Sequence, residues 1–448
     1  MASSVTSIGI YALGLVTGPI IAHALGPTGR GELAAVVVPS AVLVWILAFG
    51  MPLAASYHLG ARSESEVLWT ATAFGLVVGA PLALVLWFAG PAYLSGHSPT
   101  TILWARVFIV ALPLSVGTQA ALEVLRRRSA GPTWNAWRAA PFAITALGLV
   151  VLALTGRLTL ASAFAVSFLG SNSPALLLAS RLWMSRPARP SWAAFRLMLP
   201  YAWRTAAASS ANSLTARLDQ VVLAGAVAPA QLGLYAVAVT ASSASNPLTA
   251  GISLALFGTQ REDVEAGRRS ARFRRSVIAT GLVSCATAVA IGAMAPLLLR
   301  VAFGSAFAAA TTPLRILLAG QVALDLINAV STGLYAAGRP GEASRAAVLG
   351  GAVTVAGLVL LVPRWGINGA AAVTTAANAG QLAYLWVRLR SRRWSAPVAA
   401  TTPMSPSTTD DVENQRSAAE RALAHTSAGR ERTDAMVSRT AAETASGA

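Results

Sequence analysis

The fold class this sequence predicts is an all-α protein that crosses a membrane about twelve times, and three observations predict it. Of the 448 residues, 55% are hydrophobic and only 11% charged, with a mean hydropathy of +0.60, far from ordinary soluble composition. Apolar runs of about 20 residues, the length that carries a helix across a bilayer, recur over most of the chain. Between these runs the basic residues gather on alternate loops. The net charge of +17 comes entirely from arginine, since the chain has no lysine. Such a balance suggests nucleic acid in a soluble protein, but here the arginines sit in short loops, where the positive-inside rule accounts for them.

Taken in order, the N-terminal MASSVTSIGIYALGLVTG has no basic region before its apolar run, so it reads as a first span and not as a signal peptide. The spans run from about 5 to 23, 33 to 59, 67 to 89, 101 to 122, 134 to 155 and 159 to 183, then from about 197 to 225, 232 to 257, 276 to 299, 309 to 337, 343 to 362 and 367 to 389. With the N-terminus in the cytoplasm, one set of loops carries Arg62, Arg126–Arg128, Arg186, Arg189, Arg268, Arg269, Arg339, Arg392 and Arg393, among others. The opposite set carries only Arg30, Arg157, Arg300 and Arg364. Both termini are therefore expected on the cytoplasmic side of the cell membrane. Beyond residue 393 the composition changes to Ser, Thr, Ala and Glu with few large apolar side chains. It cannot bury a core, so residues 394–448 are expected as a disordered cytoplasmic tail.

A faint internal repeat divides the rest. LGPTGRGELAAV from Leu25 aligns with VAPAQLGLYAVA from Val227, matching Pro27 with Pro229, Gly31 with Gly233 and Ala34 with Ala236. LWARVFIVA from Leu103 lies opposite PLRILLAG from Pro313, with Arg106 against Arg315. Copies six spans apart keep the same orientation, which is a parallel repeat. Two six-helix lobes around a central cavity are the architecture this implies, at 1–190 and 191–393.

Polar residues inside spans mark where water or protein must be met, because a charge at the bilayer centre costs about 2.5 to 3.5 kcal/mol on insertion scales. The seventh span holds Arg204, Arg217 and Asp219. Treated as one helix, it places Arg204, Asn212, Thr215 and Asp219 within about 80° of one another. Ser210, Ser213, Arg217 and Gln220 gather on nearly the opposite side, and Arg217 does not pair with Asp219. In the tenth span Gln321, Asp325, Asn328 and Thr332 form a second stripe. Ser7, Tyr11, Gly14 and Gly18 share a face of the first span, where Gly14 and Gly18 have the spacing of close helix packing. Pro19 and Pro52 are expected bending points. Thr374, Asn378 and Gln381 in the twelfth span read as helix-to-helix contacts. Cys285 is a lone thiol.

Several classes lack their signatures. There is no GxxxxGK[ST] loop for nucleotide hydrolysis, and His23, His58, His97 and His425 show no metal-ligand spacing. No sizeable polar segment carries an acidic or nucleophilic constellation, so an enzyme is not expected, nor a cofactor.

LGPTGRGELA, RLDQVVLAGAVAPAQLGLYAVA, PLLLRVAFGSAFAAATTPLRILLAG, GLYAAGRP and WGINGAAAVTTAAN, in this order across residues 1–393, resemble the polysaccharide-export or Wzx-type flippases of the multidrug/oligosaccharidyl-lipid/polysaccharide exporter superfamily. The resemblance implies two bundles that open alternately to either side of the membrane. It implies a polyprenyl-pyrophosphate-linked oligosaccharide as substrate, moved to the outer leaflet. Arginine suits a pyrophosphate through bidentate, charge-assisted hydrogen bonds. Arg204 and Arg217, with Asn212 and Thr215, are thus the expected substrate contacts. Asp219, Asp325, Gln321 and Asn328 are the expected ion-coupling or gating residues, with H+ or Na+ as the ion. Arg30, Arg106 and Arg315 are expected to anchor helix ends. Membrane lipids, and a glycan polymerase or glycosyltransferases, are the other partners considered. A cation-coupled multidrug exporter of the same fold and a non-transporting scaffold in glycan assembly stay open beside this reading.

Overall fold

The computed structural model describes residues 2–128, 131–185, 188–215, 217–249, 271–336 and 340–390. The expected tail lies outside them, as does the arginine cluster around Arg268. Every regular element among the described residues is helical: α1 (Ala2–Ala48), α2 (Met51–Tyr57), α3 (Glu64–Tyr93), α4 (Pro99–Arg128), α5 (Pro132–Leu154), α6 (Leu160–Ser185), α7 (Trp192–Thr215), α8 (Leu218–Ala226), α9 (Pro229–Ser242), α10 (Ala271–Leu298), α11 (Thr311–Ala336) and α12 (Pro340–Arg390). A 3-10 turn (Ser243–Ser245) ends α9, while a π turn (Leu299–Phe303) and a second 3-10 turn (Ser305–Ala310) lead from α10 into α11.

Eight of these stretches are long and apolar enough to cross a membrane. They account for expected spans one to six and nine to twelve, because α1 and α12 each hold two spans. The chain reverses inside α1 at Gly26 (φ +64°) and inside α12 at Gly366 (φ +53°), backbone conformations that a residue without Cβ adopts at little cost. Large apolar side chains cover the outside. Val77, Phe88, Leu154 and Val289 are 73%, 73%, 83% and 71% exposed, as lipid-facing residues must be.

The seventh span is not the single helix expected from its hydropathy. It breaks after Thr215, and Arg217 (φ −136°, ψ −3°) caps the start of α8. Asp219 then falls in the first turn of a new helix, where its Oδ1 accepts the Gln220 amide at 2.7 Å. Free amides at a helix start favour an acid there. The 80° stripe through Arg204, Asn212, Thr215 and Asp219 therefore does not exist as one helical face. The second span is likewise interrupted. Phe49 (φ +44°) and Gly50 (φ +70°) separate α1 from α2, and Pro52 comes directly after the break, whereas α1 passes through Pro19 without one.

One end of the bundle gathers the turns at Gly26, Leu94–Ser98, Val227–Ala228, Gly304 and Gly366. A Cβ on Gly304 would lie 3.9 Å from the His23 ring, and one on Gly366 would lie 3.9 Å from Gln231. Here the second part of α1 packs on α9. A Cβ on Gly31 would fall 1.7 Å from the Pro229 carbonyl oxygen, and one on Gly233 would fall 1.9 Å from that of Pro27. Tyr235, Phe164, Phe307, Leu299 and Leu314 fill the core beneath these turns. Toward the other end a second core joins Met51, Leu68 and Leu112 to Met198 and Ala202 of α7. Gly18 in the first span packs on Thr240 and Phe303, but Gly14 meets nothing within 4 Å. Half of the expected close-packing motif is therefore used.

Candidate functional site

The break between α7 and α8 places three ionisable residues of unlike surroundings near one another. Asp219 is 3% exposed. Besides the Gln220 amide, its carboxylate accepts the Tyr235 hydroxyl from α9 at 2.5 Å and the Thr374 hydroxyl from α12 at 3.2 Å. Arg217 is exposed and makes no ion pair among the described residues, but its charge acts on Asp219 and also on Arg30 of α1. The Arg30 Nη2 reaches the Thr240 hydroxyl of α9 at 3.5 Å, while its Nε is buried without an acceptor among the described residues. Two guanidinium groups, one from each half of the chain, thus stand within electrostatic reach of each other with donors to spare. Such a pair is suited to an anion that accepts from both.

Arg204 is also exposed. It lies about 16 Å before Thr215 along α7, at 1.5 Å rise per residue, so it does not share this level. The side chains of Asn212 and Thr215 lie outside the described residues. Arg106 stacks over Trp87 at 5.1 Å, and Arg315 donates from Nε to the Gly292 carbonyl at 3.1 Å. Both act within their own half, as expected of anchors. Arg30 does not; it reaches across to α9.

Asp325 forms a separate cluster. Its carboxylate accepts the hydroxyls of Ser245 (2.9 Å), Ser284 (2.6 Å) and Thr249 (3.4 Å) and the Gln321 amide (2.9 Å). Gln321 also donates to Asn246 Oδ1 at 2.7 Å. Asp325 is 2% exposed and Gln321 8%, so this part of the tenth-span stripe is interior. Asn328, one turn on, is exposed and stands apart from the cluster. In the twelfth span Asn378 donates to the Gly320 carbonyl at 3.2 Å, a helix-to-helix contact, whereas Thr374 belongs to the Asp219 site.

A third group was not apparent in the sequence. Glu32 of α1 is 5% exposed and His97, in the turn before α4, is 9% exposed. His97 Nδ1 lies 2.9 Å from Glu32 Oε2, and Nε2 lies 2.8 Å from the Ala224 carbonyl oxygen of α8. The Ser98 amide donates to Glu32 Oε1 at 3.0 Å. Burial by itself lowers the His97 pKa, but the bonds to Glu32 and Ala224 and the Glu32 charge together raise it above the ordinary histidine value. One signal was present, since Glu32 is the only acid in the first 63 residues. Its partner lies 65 positions away, beyond any local pattern.

A polysaccharide biosynthesis protein family matches residues 1–259. The chain belongs to this family. Among solved structures it is similar to the lipid II flippase MurJ in an inward closed conformation, at 12% identity over 87% of each chain with a TM-score of 0.72. An inward-facing multidrug resistance MATE family transporter of the MOP superfamily matches with 14% identity over 87% of this chain and 94% of that one, TM-score 0.63. An outward-facing form so described matches with 15% identity over the same shares, TM-score 0.55. No curated protein is significantly similar in sequence. Family and fold together make this a multi-pass membrane protein of the polysaccharide biosynthesis family with the fold of these transporters.

Proposed function

We propose that this family member is a flippase that carries a polyprenyl-pyrophosphate-linked oligosaccharide across the cell membrane by alternating access of two lobes, 1–190 and 191–393. The observation that carries the reading is Arg30, whose buried Nε has no acceptor among the described residues, together with the like charge of Arg217 from the opposite half, which acts on it at the break between α7 and α8. A pyrophosphate accepts hydrogen bonds from both guanidinium groups and neutralises their repulsion. Arg204, about three turns away, meets the headgroup at another stage of its passage. An inside-negative potential favours outward movement of an anion by about 2.3 kcal/mol per charge per 100 mV. Where a cation (H+ or Na+) is coupled, Asp219 and Asp325, with Gln321, are the buried groups it would meet. The arginine asymmetry supports cytoplasmic termini, so the end gathering the turns at Gly26, Gly304 and Gly366 is the outer one.

The test is reconstitution in liposomes with a polyprenyl-pyrophosphate oligosaccharide, following its exposure on each leaflet. Arg217→Gln and Arg30→Gln, at protein levels equal to wild type, are expected to lower the flipping rate at least tenfold, and Arg204→Ala less. Flipping that survives both changes overturns the site. Movement of an organic cation in place of the lipid makes the protein a drug exporter, and movement of neither returns the scaffold reading.

A further inference from the structure

We propose that His97 is a proton-binding site that latches the outer end of the bundle shut. The inference rests on the cytoplasmic termini of the reading above, not on the identity of the substrate.

The hydrogen-bond geometry carries the argument. Both imidazole nitrogens of His97 face acceptors: a Glu32 carboxylate oxygen at 2.9 Å and the Ala224 carbonyl oxygen at 2.8 Å. A neutral imidazole has one N–H and can donate to only one of them; the doubly protonated ring donates to both. The group is 9% exposed and Glu32 5%, so water does not supply the missing donor. The three members also belong to different parts of the chain. Glu32 and His97 come from α1 and from the turn before α4, while Ala224 is in α8, which leads directly into α9. His97 therefore ties the first half of the chain to the second, beside the Gly31–Gly233 contact.

No other titratable group among the described residues competes for the ring. From α3, Tyr93 donates its hydroxyl to the Val221 carbonyl. On α1, Arg30 turns to Thr240. On α8, Asp219 lies more than a turn from Ala224 and is bonded to Tyr235 and Thr374. Glu32 is thus the charge that faces His97.

This geometry fixes the sign of the pH effect. When the halves separate, His97 keeps Glu32, which belongs to its own half, but loses the Ala224 carbonyl, so its pKa falls from the closed-state value. In the closed state its pKa is raised. Closure is therefore supported fully at external pH below the open-state value, and that support is lost as pH rises through the higher closed-state one. An acidic exterior holds the outer gate shut, and release of the proton frees it.

The experiment uses full-length protein in liposomes, with Cys285→Ala to remove the native thiol and Ala236→Cys as reporter. Ala236 is 4% exposed in the α1–α9 contact, so a membrane-impermeant thiol reagent reaches a cysteine there only when the outer end opens. Because thiolate formation by itself speeds labelling as pH rises, each rate is divided by that of a free cysteine peptide at the same pH. The corrected rate is expected to rise at least threefold as external pH goes from about 6 to about 9, crossing the histidine range. The corrected rate of His97→Gln should be high at every pH. Glu32→Gln keeps the histidine but not its charge partner, and should shift the step to lower pH. A corrected wild-type rate independent of external pH, a step that His97→Gln leaves in place, or a step driven only by internal pH would each overturn the proposal. None of these outcomes depends on which lipid is flipped.

Discussion

Gly31 and Gly233 are packed backbone to backbone, and each presses on the turn that precedes the other. The Cβ that Gly31 lacks would sit 1.7 Å from the Pro229 oxygen, and the one Gly233 lacks would sit 1.9 Å from the Pro27 oxygen. These are the residues that the internal repeat pairs, Pro27 with Pro229 and Gly31 with Gly233. The repeat thus brings its own equivalent positions into reciprocal contact, as two copies related by a near-twofold axis must. Ala34 and Ala236, the next matched pair, are 6% and 4% exposed and extend the seam with small side chains.

Gly31→Ala or Gly233→Ala cannot be absorbed by a rotamer change, since the obstacle is backbone on both sides. Each substitution is expected to force α1 from α9 and destabilise their contact by about 1 to 3 kcal/mol. Gly14→Ala, which meets nothing within 4 Å, serves as a neutral comparison. Thermal unfolding of the purified variants in detergent, with thiol labelling at position 236, measures both effects.

Tyr235→Phe removes the shortest of the three bonds to Asp219 while keeping the ring that fills the core. A cost of about 1 to 3 kcal/mol is expected for the buried oxygen left short of a donor. Asp219→Asn and Tyr235→Phe together should cost less than the sum of the two changes, because they act on one network. A double-mutant cycle on melting temperature decides whether the coupling exists.

Asp325→Ala leaves the hydroxyls of Ser245 and Ser284 and one amide bond of Gln321 without their acceptor. The expected loss is about 3 kcal/mol or more, against about 1 kcal/mol for Ser284→Ala, which deletes a single donor. If the two variants melt at the same temperature, the carboxylate is not the hub of the cluster.

Arg106→Gln should leave flipping within about twofold of wild type and lower stability by about 0.5 to 1 kcal/mol, the worth of a cation–π contact of this kind. Trp87→Leu, removing the ring under the guanidinium at 5.1 Å, is expected to match it. Flipping rate and melting temperature measured on the same preparations separate an anchoring role from a substrate contact.

The membrane class, the arginine asymmetry and the spans numbered one to six and nine to twelve were readable in the sequence, because hydrocarbon imposes a length and a polarity on every crossing segment whatever its neighbours. The repeat was readable for a related reason: closely packed glycines tolerate no replacement, so their spacing stays visible when little else does. Hydropathy also led to an error at the seventh span. A run such as 197–225 is as apolar broken as whole, and Asp219 just after the break at Arg217 is held by Tyr235 and Thr374, which come from other helices. The same limit separated Arg30 from Arg217 and hid His97 from Glu32, since each pair joins positions far apart in the chain. By itself the sequence determined which segments lie in the membrane and which residues are too polar to face lipid. Only the tertiary structure decided which of those residues meet, because a buried polar group must find its partner wherever packing brings one.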